Sequence, residues 1–130
     1  LGEVAGHITA GSGIYRGTDY THVFVFLDAD GAEVDVSSYT FTAKGKDVVN
    51  GTTVVTFTPS QPGSDQTYKV NGVNVTYAKE SILFLSLTDT VTGAIDSDYT
   101  ELVYDLFQDR GGAISCPFSG KVQVRGRVTT

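Results

Sequence analysis

Few side chains in this chain of 130 residues are suited to acid–base or nucleophilic chemistry. Its two histidines are His7 and His22, and histidine is the residue that most often transfers protons near neutral pH. His7 lies in a glycine-rich stretch, whereas His22 lies in an apolar run, T-H-V-F-V-F-L. The sequence has neither a G-x-S-x-G turn nor a glycine-rich oxyanion motif, although spacing alone leaves a Ser–His–Asp arrangement open. We therefore predict that both histidines are surface or packing residues and that the protein is not an enzyme.

The single cysteine, Cys116, excludes an intramolecular disulfide. It lies in the segment I-S-C-P-F, between Ile114 and Phe118. If this segment is a strand with regular alternation, Cys116 shares a face with both apolar neighbours. The alternation predicts a buried, structural thiol rather than a nucleophile paired with histidine.

Two short acidic segments are candidates for cation binding. Residues 28–31, D-A-D-G, begin like a calcium loop, but the sixth position is Glu33 instead of glycine and the twelfth is Tyr39 instead of glutamate. Residues 96–98, D-S-D, form a second acidic segment. We predict that these carboxylates bind the backbone of their own turns. The sequence thus predicts no catalytic residue, no metal ligand and no cofactor-binding residue.

The charge and hydropathy of the chain restrict its partners. The net charge is −6, and the nine basic residues are scattered except for Arg125 and Arg127. Nucleic-acid binding requires a basic surface, so this composition argues against a nucleic-acid partner. No apolar run approaches the roughly 20 residues that a membrane-spanning helix requires, so we predict no membrane partner.

Apolar alternation and turn signals recur at intervals of about ten residues, which is typical of all-β domains. Valine, threonine, tyrosine and phenylalanine are frequent, and these residue types favour strands. The predicted strands are residues 21–27, 33–36, 39–43, 53–58, 82–87, 102–107, 114–118 and 121–128. Two further segments, 48–55 and 68–77, are predicted as hairpins, and a helical turn is predicted within 88–94. The pattern predicts an antiparallel two-sheet β-sandwich with an immunoglobulin-like topology, and a closed barrel is the alternative.

Two Asn-Gly pairs predict tight hairpins in the middle of the chain. Asn50-Gly51 lies between valine-rich segments, and Asn71-Gly72 lies between Tyr68 and Tyr77. Asn-Gly is the preferred pair of a type I′ turn, in which both central residues have positive φ. We therefore predict positive φ at both glycines.

Several predicted strands are apolar on both faces. In residues 23–27 the two phenylalanines share one face, while the valines and the leucine share the other, and residues 102–107 show a similar pattern. A sandwich of this size has one interior, so the second apolar face predicts coverage by another chain or by the terminal segments. A crowded core with curved strands is the alternative.

The first 13 residues differ in composition from the rest. They contain four glycines, which disfavour a stable element, and two apolar residues, Val4 and Ile8. We predict that residues 1–13 are a flexible arm that contacts a neighbouring molecule, and that residues 14–130 form one β-sandwich domain. The alternative is that the arm folds back as an edge strand of its own sheet.

Several strand-and-turn motifs follow one another in a recognisable order. They are I-Y-R-G-T at 14–18, F-V-F-L-D-A-D-G at 24–31, E-V-D-V-S-S-Y at 33–39, L-S-L-T at 85–88 with Thr90, V-Y-D-L at 103–106, D-R-G-G at 109–112 and G-K-V-Q-V at 120–124. This order resembles a family of small β-sandwich domains of bacteriophage virions, which includes the N-terminal domain of the baseplate upper protein and domains at the root of tail fibres. The resemblance covers residues 13–43 and 82–130, whereas residues 44–80 depart from it.

The resemblance implies a structural role in the virion, within a ring or trimer, and no catalytic residue. We expect an adaptor or attachment module of the tail, baseplate or fibre root, assembled in the host cytoplasm, whose partners are other copies of itself and other virion proteins. A capsid decoration protein held by its N-terminal arm is one alternative. A carbohydrate-binding module is another, and it predicts that exposed tyrosines cluster among Tyr15, Tyr20, Tyr99 and Tyr104.

Overall fold

The structure is a computed structural model that describes residues 4–9, 13–48 and 51–126; of residues 4–9 and 117 it describes the backbone alone. In these ranges the chain is all-β, with one short α-helix, α1 (Asp89–Gly93), and one 3₁₀ turn, Lys79–Ser81. The strands are β1 (Val4–Thr9), β2 (Ile14–Tyr15), β3 (Tyr20–Leu27), β4 (Thr40–Lys46), β5 (Thr53–Thr56), β6 (Thr58–Ser60), β7 (Gln66–Val70), β8 (Val73–Tyr77), β9 (Ile82–Leu87), β10 (Glu101–Asp109) and β11 (Ile114–Arg125).

The strands form two larger sheets and one separate hairpin. The four-stranded sheet has the order β1-β3-β9-β6, the five-stranded sheet has the order β2-β11-β10-β4-β5, and β7 pairs with β8. All pairings are antiparallel except that of β2 with β11, in which Ile14 lies beside Val124. The predicted, wholly antiparallel arrangement is therefore wrong at this pair. A parallel neighbour requires a long connection, and nearly the whole domain separates β2 from β11.

Both larger sheets contribute to one hydrophobic core. Phe24 and Phe26 of β3 are fully buried, as are Leu102 and Leu106 of β10, so alternate residues of each strand point into the same interior. Aromatic rings join the two sheets, with the ring centroids of Phe24 and Phe118 5.0 Å apart. Burial of these large side chains is the main source of stability.

The second apolar face of β3 is covered by the β7–β8 hairpin. Val23, Val25 and Ile82 form a separate buried cluster, and Tyr68 and Tyr77 of the hairpin pack against it. We predicted coverage by another chain or by the terminal segments; the cover comes instead from the middle of the same chain. This hairpin belongs to residues 44–80, the part of the sequence that the resemblance does not cover.

The turn of the β7–β8 hairpin has the predicted conformation. Asn71 has φ 51° and Gly72 has φ 81°, and Val70 pairs with Val73 across the turn. Positive φ at both central residues is the requirement of a type I′ turn. The prediction for Gly72 is confirmed.

The other Asn-Gly pair can be followed only in part, because Asn50 lies outside the described residues. β5 pairs with β4 as the predicted hairpin requires. Close approach restricts Gly51: a Cβ there would lie 2.0 Å from Oδ1 of Asp47, which accepts hydrogen bonds from the backbone N–H groups of Val48 and Thr52. The prediction of positive φ at Gly51 is wrong, because its φ lies outside the left-handed region. Glycine is required there by the close approach of the Asp47 side chain.

The predicted strand 53–58 is interrupted and changes sheet. β5 belongs to the five-stranded sheet, whereas β6, two residues later, pairs with β9 in the four-stranded sheet. Phe57 lies between them, is buried in the common core, and donates its N–H to the carbonyl of Ala43. A buried aromatic residue therefore marks the crossing between sheets.

Two other predicted boundaries are wrong. Residues 33–36 form no strand; Glu33 makes one isolated bridge with Leu27, and Val36 donates its N–H to the carbonyl of Glu80. Asp35 accepts the N–H of Ser37, which turns the chain instead of extending it. The two strands predicted at 114–118 and 121–128 are one strand, β11. Residues 127–128 of that prediction lie outside the described ranges.

The N-terminal segment differs from the predicted flexible arm. Residues 4–9 form β1, which pairs antiparallel with β3 from Val4 opposite Leu27 to Thr9 opposite His22. This is the edge-strand arrangement that the sequence left as the alternative. Without β1, the backbone groups of β3 on the side away from β9 would have no partner within the sheet. β1 supplies the hydrogen bonds on that side.

Candidate interaction face

His22 is a packed residue inside the domain. Its side chain is buried, its ring stacks on Phe24 with centroids 4.2 Å apart, and its Nδ1 shares a hydrogen bond with the Tyr104 hydroxyl. Burial raises the pKa of Tyr104, which also hydrogen-bonds with Tyr20. The arrangement satisfies polar groups within the core, as the packing prediction for His22 requires. The side chain of His7 lies outside the described residues.

The prediction of a buried Cys116 is wrong, because its side chain is exposed. Leu106 pairs with Phe118 and Gln108 pairs with Ser115, so residues 116 and 117 together lie opposite Phe107 alone. This β-bulge interrupts the alternation on which the prediction depended. Phe118 turns into the core, whereas Ile114 is 69% exposed.

The two acidic segments bind their own backbone, as predicted. Oδ1 of Asp28 accepts the N–H groups of Asp30 and Ala32, both at 2.9 Å. Oδ1 of Asp96 accepts the N–H of Asp98 at 2.9 Å. Within the described ranges no group of three His, Cys, Asp or Glu side chains is arranged to hold a metal ion. In the same ranges no helix is both long enough and apolar enough to cross a membrane.

The outer face of the five-stranded sheet carries a groove of about 430 Å³. It lies over β4, β10 and β11, whose outward side chains alternate with the core residues. We call it the lysine groove, and the residues that define it are Lys44, Lys46, Val103, Asp105, Phe107 and Lys121. The groove is open to solvent and of a size that admits several side chains of a partner.

Strand register brings the three lysines of the groove together. Val103 of β10 pairs with Lys46 of β4 on one side and with Lys121 of β11 on the other. Lys44 pairs with Asp105 in the next outward row. Side chains directly opposite each other on one face of a sheet are neighbours, so Lys46 and Lys121 flank the half-buried Val103 and Lys44 lies beside Asp105.

Few acidic groups oppose these lysines. Asp105 is the acid that lines the groove, and it accepts a hydrogen bond from the Ser119 hydroxyl. At the rim, the carboxylate of Glu101 lies 3.9 Å from Nζ of Lys121, and both side chains are well exposed. A surface pair of this kind contributes little stability, so both partners remain open to other contacts.

The groove also offers apolar surface to a partner. Phe107 is 44% exposed, and it lies at the bulge next to Cys116 and near the exposed Ile114. Basic residues around exposed apolar side chains are a common composition for protein interfaces. The lysine groove is therefore a candidate interaction face.

A second surface lies at the end of the molecule that carries α1. We call it the acidic end; its members are Asp19, Asp89, Val91, Asp96 and Asp98, all of them exposed to solvent. The N–H of Asp89 donates to Oδ1 of Asp19 at 2.9 Å, which joins the start of α1 to the loop before β3.

Arg16 fixes the loop of the acidic end. Its Nε donates to the carbonyl of Ile95 at 3.1 Å, and its Nη2 donates to the carbonyl of Asp96 at 2.9 Å. Nearby, the Thr92 hydroxyl donates to the carbonyl of Thr18 and accepts the N–H of Gly17. The R-G-T motif at 16–18 therefore holds α1 and its following loop against the start of β3.

The sequence did not predict either surface. Lys44 and Lys46 alternate in the segment T-A-K-G-K, which is a detectable signal for one exposed strand face. Their approach to Lys121 depends on the order of the strands in the sheet, which alternation does not encode.

The sequence matches no protein-family model and no curated protein. The case for a function therefore depends on the motifs, the fold and these two surfaces.

Proposed function

We propose that this chain is a non-enzymatic structural module of a bacteriophage virion, an adaptor or attachment domain of the tail, baseplate or fibre root. In this proposal it acts through oligomerisation and contacts with other virion proteins, without cofactor, nucleic acid or membrane. The order of the strand-and-turn motifs supports the assignment, and the all-β fold is consistent with it.

The proposal includes a two-sheet, immunoglobulin-like β-sandwich. Support comes from the common core of the four- and five-stranded sheets and from the β5–β6 crossing between them. In such a domain the outer sheet faces are the surfaces available to partners, since the inner faces are filled.

The lysine groove is the observation that carries the proposal of a binding role. It combines Lys44, Lys46 and Lys121 with the exposed ring of Phe107 on a sheet face that no other part of the described chain covers. His22, the histidine whose surroundings are described, is packed in the core, where it has no access to a substrate. These features favour a contact surface over a catalytic one.

No observation favours the two alternatives. Tyr20 and Tyr104 are buried, Tyr99 packs against the core and Tyr15 is half-buried, so these four do not supply the exposed platform of a carbohydrate-binding module. Residues 4–9 pair within their own sheet, which does not support a decoration protein tethered by a free N-terminal arm.

Labelling of purified particles tests the proposed function. We expect gold-conjugated antibodies raised against this protein to bind the tail or baseplate of virions from the source phage lysate. Antibodies against the major capsid protein serve as the positive control on the same grids. Absence of this chain from particles that the control labels would overturn the proposal, and labelling over the head would favour the capsid alternative.

A further inference from the structure

We propose that the lysine groove of one copy binds the acidic end of a second copy of this chain. The inference rests on the proposed oligomeric role and names the surfaces that would perform it. The two surfaces differ, so each copy offers one surface of each kind to its neighbours. Contacts between unlike surfaces generate rings or linear assemblies.

Positive and negative charge are separated on the molecule. The full chain has 9 basic and 15 acidic residues, for a net charge of −6. The groove lining holds three lysines and one aspartate, a net +2, so the remainder carries 6 − 14 = −8. A positive groove on an otherwise acidic molecule attracts other copies of that molecule.

Both charged surfaces also carry exposed apolar groups. At the acidic end Val91 is 38% exposed, and it lies on α1 two residues after Asp89. In the groove Val103 lies between Lys46 and Lys121, and the exposed ring of Phe107 lies further along β10. The acidic end thus carries an exposed apolar side chain besides its carboxylates, and the groove carries apolar side chains besides its ammonium groups. Burial of the apolar groups adds affinity, and the charges add specificity.

Both surfaces are ordered within the single chain, before any association. The groove lies on three paired strands, and the acidic end is joined by the hydrogen bonds of Arg16, Thr92 and Asp19. Ordered surfaces lose less conformational entropy on association than flexible ones. This favours the acidic end over an unstructured acidic segment as the occupant.

The groove variant is Lys44→Glu with Lys121→Glu. Both side chains are exposed, so the substitutions reverse the charge of the groove without entering the core. The matched control is Lys69→Glu with Lys79→Glu, two exposed lysines outside the groove. The control carries the same change in net charge.

The acidic-end variant is Asp89→Lys with Asp98→Lys. Both side chains are exposed, and Asp96 is left intact because its carboxylate holds the loop. The matched control is Asp30→Lys with Glu80→Lys, which lie outside the acidic end, in the segment after β3 and in the 3₁₀ turn. Circular dichroism and thermal unfolding identify any variant that fails to fold, in which case the matching Lys→Gln, Asp→Asn or Glu→Gln substitutions at the same positions replace it.

Sedimentation velocity of the purified proteins measures the association. We expect the wild type and both controls to self-associate and to dissociate as salt is raised, because salt screens surface charge. Each test variant alone has one repelling contact, so its dissociation constant should rise by about tenfold or more. An equimolar mixture of the two test variants should associate again, since the reversed groove faces the reversed acidic end.

Three outcomes would overturn the inference. They are a wild type that stays monomeric up to about 1 mM, test variants that associate as strongly as the wild type, and a mixture that associates no better than its components. The proposed virion role is tested separately by particle labelling. If particles are labelled but the mixed variants do not associate, the groove contact is refuted and the virion role stands. If the mixed variants associate but particles are not labelled, the virion role is refuted and the groove contact stands.

Discussion

At the scale of single residues, Cys116 combines exposure with low expected reactivity. Partial desolvation raises the pKa of its thiol, and the negative charge of Asp105 raises it further. The thiolate is the reactive form of cysteine, so a raised pKa lowers the reactive fraction at neutral pH. An accessible thiol in this environment is a poor nucleophile.

Removal of the nearby charge should make this thiol more reactive. In Asp105→Asn the negative charge that opposes ionisation is lost, so the pKa of Cys116 should fall and alkylation at pH 7.5 should become faster. The pH dependence of the iodoacetamide rate measures the shift, and Asp30→Asn is the control at a remote acid. If the pH midpoint of the alkylation rate in Asp105→Asn is unchanged or higher, the negative charge of Asp105 does not raise the pKa of this thiol.

The sequence predicted that His22 is packed, but it did not predict its hydrogen-bond partner or the exposure of Cys116. It predicted packing for His22 because the neighbours of this residue are apolar, but its partner Tyr104 is 82 positions away and depends on the topology. It placed Cys116 in the core because alternation is regular unless a bulge intervenes. A bulge depends on the pairing of two strands, so one strand's sequence did not reveal it.

At the scale of elements, the hairpin turn at Asn71-Gly72 requires a backbone conformation with positive φ, which favours glycine. Gly72 has φ 81°, and no heavy atom lies within 4 Å of the position its Cβ would occupy. The cost of a side chain there arises from backbone conformation alone. A Cβ at Gly63 would likewise have no heavy atom within 4 Å, but the φ of Gly63 is outside the left-handed region.

Gly72→Ala should therefore destabilise the protein by about 1–2 kcal/mol. Gly63→Ala, the matched control, should change the free energy of unfolding by less than about 0.5 kcal/mol or should stabilise the protein slightly. Urea denaturation followed by tyrosine fluorescence measures both. Equal effects of the two substitutions would contradict the turn geometry described for Gly72.

Local sequence patterns predicted most of the strands. They failed where tertiary contacts determine whether a segment forms a strand and which sheet it joins. β9 and the hairpin of β7 and β8 follow directly from apolar residues and Asn-Gly. The division of residues 53–60 into two strands of different sheets was not predicted, because its cause is the burial of Phe57 between the sheets. Residues 33–36 have a strand-like pattern, yet side-chain hydrogen bonds in the turn hold them out of the sheet.

At the scale of the whole molecule, the topology separates charge that the sequence distributes evenly. β4 and β11 are far apart in the chain, and β10 joins them so that their lysines share one face. The β7–β8 hairpin covers the outer apolar face of β3, which leaves the five-stranded sheet with the open groove. In the account proposed here, that difference between the outer faces determines which side of the domain meets its neighbours.

A reconstruction of the assembled particle by electron cryomicroscopy tests this account most directly. The account predicts density for this chain in the tail, baseplate or fibre root, with the lysine groove over β4, β10 and β11 buried against a neighbouring chain. The β7–β8 hairpin should remain on the outer face of its own domain in every copy. A particle that lacks this chain, or one in which the groove faces solvent in all copies, would contradict the account.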